Sequence, residues 1–315
     1  MKLIAPDYYA GFSCLMGDCR HSCCAGWEID VDDEALSRFR AVPGALGDRL
    51  RGSIDEDGDG ARFRLTEDGR CPFLNGEGLC DLILSLGEDC LCQICADHPR
   101  FRNFFSDRTE IGLGLCCEAA GRLILSRREP VRLVKLSDDG LEDPILPEEE
   151  ALTGLRGRLI ALAQDRSTTV EVRASRLLQA SGLAFDPDSR RWTAFFRSLE
   201  RLDEDWTSRL DALDSAPPAP LPESEPWETA FEQLLVYLLY RHLPGALDDG
   251  DVSGRIAFAA LIFRLLRDLC GADMARGGRN GLDGLVELAR LYSSEIEYSD
   301  ENLTALLDEI HRRSS

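Results

Sequence analysis

The second half of the chain carries a helical hydrophobic pattern. Leu152, Leu155, Leu159, Ile160 and Leu162-Ala163 fall on one face at helical spacing, and Glu171 to Ser181 and Arg191 to Leu202 extend the same pattern. Trp227 to His242 and Arg255 to Leu269 predict two strong helices, and Leu282 to Tyr292 and Asn302 to Arg312 predict two more. The Pro-rich run from Ala216 to Pro222 interrupts them as a stiff loop. Before residue 137 the pattern is shorter and more broken. Residues 1–30 read as mostly irregular. Asp32-Asp33-Glu34 suit a first helical turn leading to Leu36 and Phe39, and Pro43 stops it. Asp55 to Gly60 reads as a polar turn, Arg62 to Leu65 as a short strand, and Asp81 to Leu86 as a helix ended by Gly87. Ile111 to Leu115 reads as extended, Glu118 to Arg127 as helical, and Val131 to Leu136 alternates.

These elements predict a mainly α protein in three stretches: an irregular cysteine-rich domain with short strands over 1–136, an acidic linker over 137–150 marked by Pro144 and Pro147, and an α-helical domain over 151–315. The longest apolar runs, Leu234 to Tyr240 and Ile256 to Leu266, fall short of the roughly 20 residues that span a membrane. Apolar residues make up 44% of the chain, enough for a large core.

A formal net charge of −21 argues against a nucleic-acid partner, because phosphate binding rests on Lys and Arg. The cations are nearly all arginine: the lysines are Lys2 and Lys135. No apolar run of about 7–15 residues follows Met1-Lys2 before Pro6 and Asp7, so no secretory signal is visible and a cytoplasmic location is expected.

Cysteine changes the picture. Of twelve cysteines, Cys270 alone lies beyond residue 117. Cys14, Cys19, Cys23 and Cys24 open the series; Cys71, Cys80, Cys90, Cys92, Cys95, Cys116 and Cys117 follow. In a reducing compartment such spacing favours a metal or iron–sulfur site over disulfides. Zinc and iron–sulfur both accept an all-thiolate set, and spacing alone does not choose between them. The C-x3-C-x2-C signature of radical S-adenosylmethionine chemistry is absent: Cys19 and Cys23 supply its first half, but Gly26 holds the third position. The Asp55–Gly60 run lacks the closing Glu of a calcium loop, and Gly112-Leu113-Gly114 lacks the context of a nucleotide loop.

The stretch FSC-LMGD-C-RHS-CCAGWEIDVD, then GRCPFLNGEGLCDL, LGEDCLCQICADHPR and GLGLCCEAAGRLIL, resembles the flagellin lysine-N-methylases of bacteria. FEQLLVYLLYRHLP resembles that family's C-terminal aromatic–leucine helix, and a wider group of zinc- or iron-chelating cysteine-cluster domains shares the CC and CPF elements. Matched position by position, the family's cysteines fall on Cys14, Cys19, Cys23, Cys24, Cys71, Cys80, Cys95 and Cys116. Cys90, Cys92 and Cys117 are additional; Cys117 stands where the family has Pro, and His98 where it has Tyr or Phe. The resemblance implies an iron–sulfur cluster, expected as [4Fe–4S], among those positions, with zinc as the alternative metal; four thiolates satisfy one cluster, so the eight allow a second site or leave several as packing thiols. It also implies methyl transfer from S-adenosylmethionine to lysine ε-amines of flagellin. A non-catalytic metal module and a cluster-based redox protein are the alternatives. No catalytic base or donor-binding residue is legible; Tyr8, Tyr9, Asp97 and Glu118 are polar candidates near the cysteines, and Arg100 and His21 are candidate contacts to a cluster.

Overall fold

The computed structural model describes residues 1–314 except 59, 141–143, 216, 223 and 279–280. Parts of the expected polar turn, acidic linker and Pro-rich loop therefore lie outside the described residues. In chain order the elements are β1 (Lys2–Pro6), α1 (Asp33–Ala41), α2 (Gly44–Gly52), β2 (Ile54–Asp57), β3 (Gly60–Phe63), α3 (Asp81–Leu86), α4 (Gln93–Asp97), β4 (Arg100–Phe104), β5 (Arg108–Leu113), α5 (Glu118–Leu125) and β6 (Leu133–Asp138). Helices then follow one another: α6 (Pro147–Ala163), α7 (Val170–Ser181), α8 (Thr193–Phe196), α9 (Glu204–Ser215), α10 (Glu225–His242), α11 (Ala246–Asp249), α12 (Val252–Ala275), α13 (Leu282–Tyr292) and α14 (Asp300–Ser314). The protein is mainly helical, as its periodicity predicts.

Two compact units emerge. Ser13–Arg100 forms one, and Met1–Phe12 with Phe101–Ser315 forms the other. Residues 1–12 and 101–136 thus join the unit that carries the helices.

In the larger unit, β1 is a strand where irregular chain is expected. Leu3 and Ile4 pair in parallel with Thr109 and Glu110 of β5, and β6 runs antiparallel on the other side, giving the order β4-β5-β1-β6. Every residue of β6 is exposed, so the alternation read from the sequence does not bury one face; β6 is an edge strand. Gly112 of β5 leaves room for Phe101, since an added Cβ would fall inside the Phe101 ring. That ring packs edge-on against Tyr237, with centroids 6.4 Å apart, and tilted against Tyr240 at 6.0 Å.

The helix α12 sits at the centre of the helical assembly. It is apolar nearly all round, and its residues from Ile256 to Phe263 are all buried. Asp251 caps it by accepting the Gly254 N–H at 2.8 Å. A buried ion pair joins two helices around it: Glu232 of α10 accepts from Arg173 of α7 at 2.7 Å, and it also accepts from the partly exposed Arg166 of the loop before α7 at 2.9 Å.

The helix expected over Arg191–Leu202 is not formed; only Thr193–Phe196 is α-helical. Side chains take its backbone groups. Asn302 accepts the Glu200 N–H at 3.0 Å and donates to the Glu200 carbonyl at 2.9 Å, while Glu295 accepts the Leu202 N–H at 3.1 Å. Trp192, Phe195 and Phe196 form an aromatic cluster there instead of a helical stripe.

In the smaller unit, Asp32 caps α1 through the Ala35 N–H at 2.8 Å, and its other oxygen accepts the Gln93 N–H of α4 at 2.7 Å. Gly87, at φ 85°, ends α3 as expected. Ile54–Asp57 is a strand paired with Gly60–Phe63, correcting the polar-turn reading: Asp55 and Glu56 are held on a hairpin by the Ile54–Phe63 and Asp55–Arg62 pairing. The core gathers Phe39, Phe63 and Phe73, with ring centroids 5.8 and 5.2 Å apart, around the buried thiols Cys71 and Cys92.

Candidate functional site

Seven of the eight family-matched cysteines lie in the smaller unit, and Cys116 lies in the larger. Cys24, Cys80, Cys90 and Cys95 border the core that buries Cys71 and Cys92. The fold brings them there by bridging Ala25 to Arg70, so that the Cys71 N–H donates to the Cys24 carbonyl at 2.7 Å. Cys80 and Cys92 stand at the N-terminal ends of α3 and α4.

Pairs form within this group. Cys23 hydrogen-bonds the Cys24 thiol and draws its pKa down to about 7. Cys95 hydrogen-bonds Cys92 and lowers its pKa likewise. Burial pushes Cys71 up to about 12. Cys14 and Cys23 are exposed, and Cys14 Sγ accepts the Met16 N–H at 3.3 Å. Among the described residues, no three His, Cys, Asp or Glu side chains converge as the ligands of one metal do. The thiols are neighbours in one core, with no three of them meeting at a single metal ion among the described residues. Cys92, an additional cysteine by sequence, is as central to this group as the matched ones.

The other sequence candidates fall as follows. His21 is exposed, and Asp97 accepts from the Gln93 amide at 2.5 Å. Arg100 donates to the carbonyls of Ala96 and His98 at 3.2 and 3.4 Å. Burial lowers His98 to about 4, so it is neutral. Tyr8 and Glu118 are buried in the larger unit, and Tyr9 packs at the margin of its core.

A second site, invisible in the sequence, lies in the larger unit. Between α13 and α14 the backbone widens into a π-turn over Ser293–Glu297, closed by the Tyr298 N–H on the Ser293 carbonyl at 3.2 Å. Such turns recur at functional sites. Here the turn buries the Glu297 carboxylate completely among donors. Its Oε2 accepts from Tyr237 Oη at 2.7 Å and from Ser293 Oγ at 2.5 Å. Its Oε1 lies 2.6 Å from His242 Nε2 and 3.5 Å from Tyr292 Oη. Arg241 approaches Oε2 at 3.6 Å and donates to Tyr237 Oη at 2.9 Å.

Helical spacing on α10 explains the convergence: Tyr237 and Arg241 are four apart, and His242 follows. Arg241 also lies over the rings of Phe101 and Tyr298, at 5.0 and 4.7 Å from their centroids. Cys116 hydrogen-bonds Tyr298, and burial pushes its pKa up to about 12, so in this setting it is a neutral thiol.

The electrostatics of this site are decided. Burial opposes the Glu297 charge, but Arg241 and the hydrogen bonds from His242 and Ser293 prevail and hold the carboxyl down at about 2. Burial lowers the His242 pKa despite its bond to Glu297, so the imidazole is neutral. A carboxylate only accepts, so the neutral ring carries its proton on Nε2. Glu297 is therefore a poor base; its chemistry is to fix Tyr237, Arg241 and His242.

Residues 175–315, which contain this network apart from Cys116 and Phe101, match the FliB lysine N-methylase C-terminal domain. The lysine-N-methylase of Salmonella typhimurium (strain LT2) is 23% identical over 159 residues, 48% of this chain and 40% of that protein; its counterpart in Salmonella choleraesuis (strain SC-B67) matches equally. The flagellar biosynthetic protein FliU of Salmonella muenchen is 25% identical over 134 residues, 41% of this chain and 79% of that protein. The chain thus spans two fifths of the length of the lysine-N-methylases it matches. No solved structure matches. In residues 175–315 the chain is thus similar to the C-terminal domain of FliB lysine N-methylases.

Proposed function

We propose that this protein transfers methyl groups from S-adenosylmethionine to lysine ε-amines of flagellin. The observation that carries the reading is the match of residues 175–315 to the lysine N-methylase domain, because the buried Glu297 network lies in that segment. Methyl transfer needs a neutral amine, since an ammonium has no lone pair to attack with. Glu297 is too acidic to take that proton. In this reading it holds Tyr237 and the neutral His242 in fixed orientation, as a positioning residue.

The family resemblance also brings an iron–sulfur cluster on the cysteines, with zinc as the alternative. No three of these thiols meet at one metal ion among the described residues, so no step is routed through a metal. Iron, sulfide and zinc analysis of anaerobically purified protein tests the ligation directly. Mass spectrometry of flagellin incubated with protein and S-adenosylmethionine tests the activity: lysines should gain the mass of one or more methyl groups. Unmodified flagellin, together with reversible oxidation of the hydrogen-bonded Cys92–Cys95 pair, would favour a redox protein instead.

A further inference from the structure

Cys116 differs from the other family-matched cysteines in the company it keeps. It follows β5 and precedes α5 in the larger unit, and it is 8% exposed. The packing of α5 on α13 holds it in place. Arg122 pairs with Asp283 at 2.7 Å, and a Cβ added to Gly121 would lie 3.4 Å from Val286 Cγ1. The helix α13 runs directly into the π-turn, and Tyr298 closes that turn. The residue before α5 is thereby brought beside the residue after the turn.

Arg241 forks between two tyrosines. One arm donates to Tyr237 Oη at 2.9 Å, and Tyr237 donates in turn to Glu297 at 2.7 Å. The other arm meets Tyr298. The guanidinium lies 4.7 Å from the centroid of its ring and hydrogen-bonds its hydroxyl, which also hydrogen-bonds the Cys116 sulfur. A guanidinium only donates, so the Tyr298 oxygen accepts from Arg241 and its own O–H is left to point at the sulfur. Leu115 serves the first arm from the same segment: its N–H donates to Tyr237 Oη at 3.2 Å. Two consecutive residues, 115 and 116, thus reach both tyrosines of the fork.

We propose that Cys116 is a positioning residue of the Glu297 centre and not a metal ligand. Its sulfur fixes the Tyr298 hydroxyl, and Tyr298 with Tyr237 fixes the Arg241 guanidinium beside the carboxylate. Every partner named for this sulfur lies in the larger unit, whereas the seven other matched cysteines belong to the smaller one. The effect expected on methyl transfer rests on the function proposed above; the assignment of the sulfur to Tyr298 does not.

The test uses the full chain, purified anaerobically, as parent and as four variants: Cys116→Ser, Cys116→Ala, Tyr298→Phe and the double variant Cys116→Ala with Tyr298→Phe. Iron, sulfide and zinc are counted per chain, flagellin methylation is timed, and denaturation midpoints are recorded, which also establish that each variant is folded. A serine hydroxyl can hydrogen-bond Tyr298 but is no adequate replacement for a thiolate ligand. All four variants should therefore keep the parent's metal content. Cys116→Ala should slow methylation about three- to tenfold, the worth of one neutral hydrogen bond, and Cys116→Ser should recover most of that loss. The double variant should be no worse than the poorer single one, in rate and in midpoint, because both substitutions break one contact.

Loss of metal from Cys116→Ser makes Cys116 a ligand and overturns the proposal. A double variant whose midpoint falls by the sum of the two single losses overturns it as well, since the two side chains then act independently. A parent that leaves flagellin unmodified sinks the function alone; the midpoints need neither metal nor activity and still decide whether Cys116 serves Tyr298.

Discussion

His242 Nε2 lies 2.6 Å from Glu297 Oε1, and both groups are buried, yet the pair is a hydrogen bond between a neutral imidazole and a carboxylate. The compensating positive charge comes from Arg241. Removing the carboxylate leaves that guanidinium buried and uncompensated, which costs about 3–5 kcal/mol when one partner of a buried pair is lost. Glu297→Gln should therefore melt well below the parent in calorimetry. If it still folds, the methyl transfer proposed above should be mostly lost, because Tyr237 and His242 lose their common acceptor.

Acid should destabilise the protein through the same pair. Glu297 is depressed from 4.5 to about 2 on folding, so its contribution, roughly 3 kcal/mol by linkage, is present above the unfolded value and is lost as pH falls from about 5 toward 2. His242 adds to the same trend. It is kept neutral in the fold, so the unfolded state binds the extra proton once pH drops below its ordinary value of 6.5. Melting temperature should fall steadily from pH 7 to pH 3, and the Glu297→Gln variant should show a flatter profile. A parent profile as flat as the variant's would contradict this account.

Gly112→Ala should be costly although the site is a plain strand position. The added Cβ collides with the Phe101 ring, which supports Tyr237 and Tyr240 from the other side. Overpacking of this kind costs about 1–3 kcal/mol. Denaturant unfolding measures it, and Gly157→Ala, in a helix with open space around it, is the control that should change little or stabilise.

Thiol labelling should follow burial. In metal-free protein, the exposed Cys14 and Cys23 should alkylate first, and Cys116 and Cys270 only on unfolding. Peptide mapping after timed iodoacetamide treatment reads the order. If iron or zinc is bound as the family resemblance implies, metal-loaded protein should show Cys23 protected along with its neighbours, and Cys95→Ser should lower metal content while Cys270→Ser does not.

Helical periodicity from Leu152 onward, the Asp32 cap and the Gly87 stop were all legible along the chain, because each depends on residues within a turn or two of one another. The grouping of cysteines before residue 118 was legible for the same reason, as a count and a spacing. Three-dimensional pairing decided the rest. Lys2–Pro6 is a strand because β5 and β6 lie on either side of it, and Arg191–Leu202 is not a helix because Asn302 and Glu295, about a hundred residues away, take its backbone groups. The Glu297 network is the clearest case. Its members look in sequence like ordinary polar residues on two helical runs and one turn. Only the packing of α10 against the π-turn strips water from that carboxylate, and it is the loss of water, set against the Arg241 charge, that makes Glu297, Tyr237 and His242 a site.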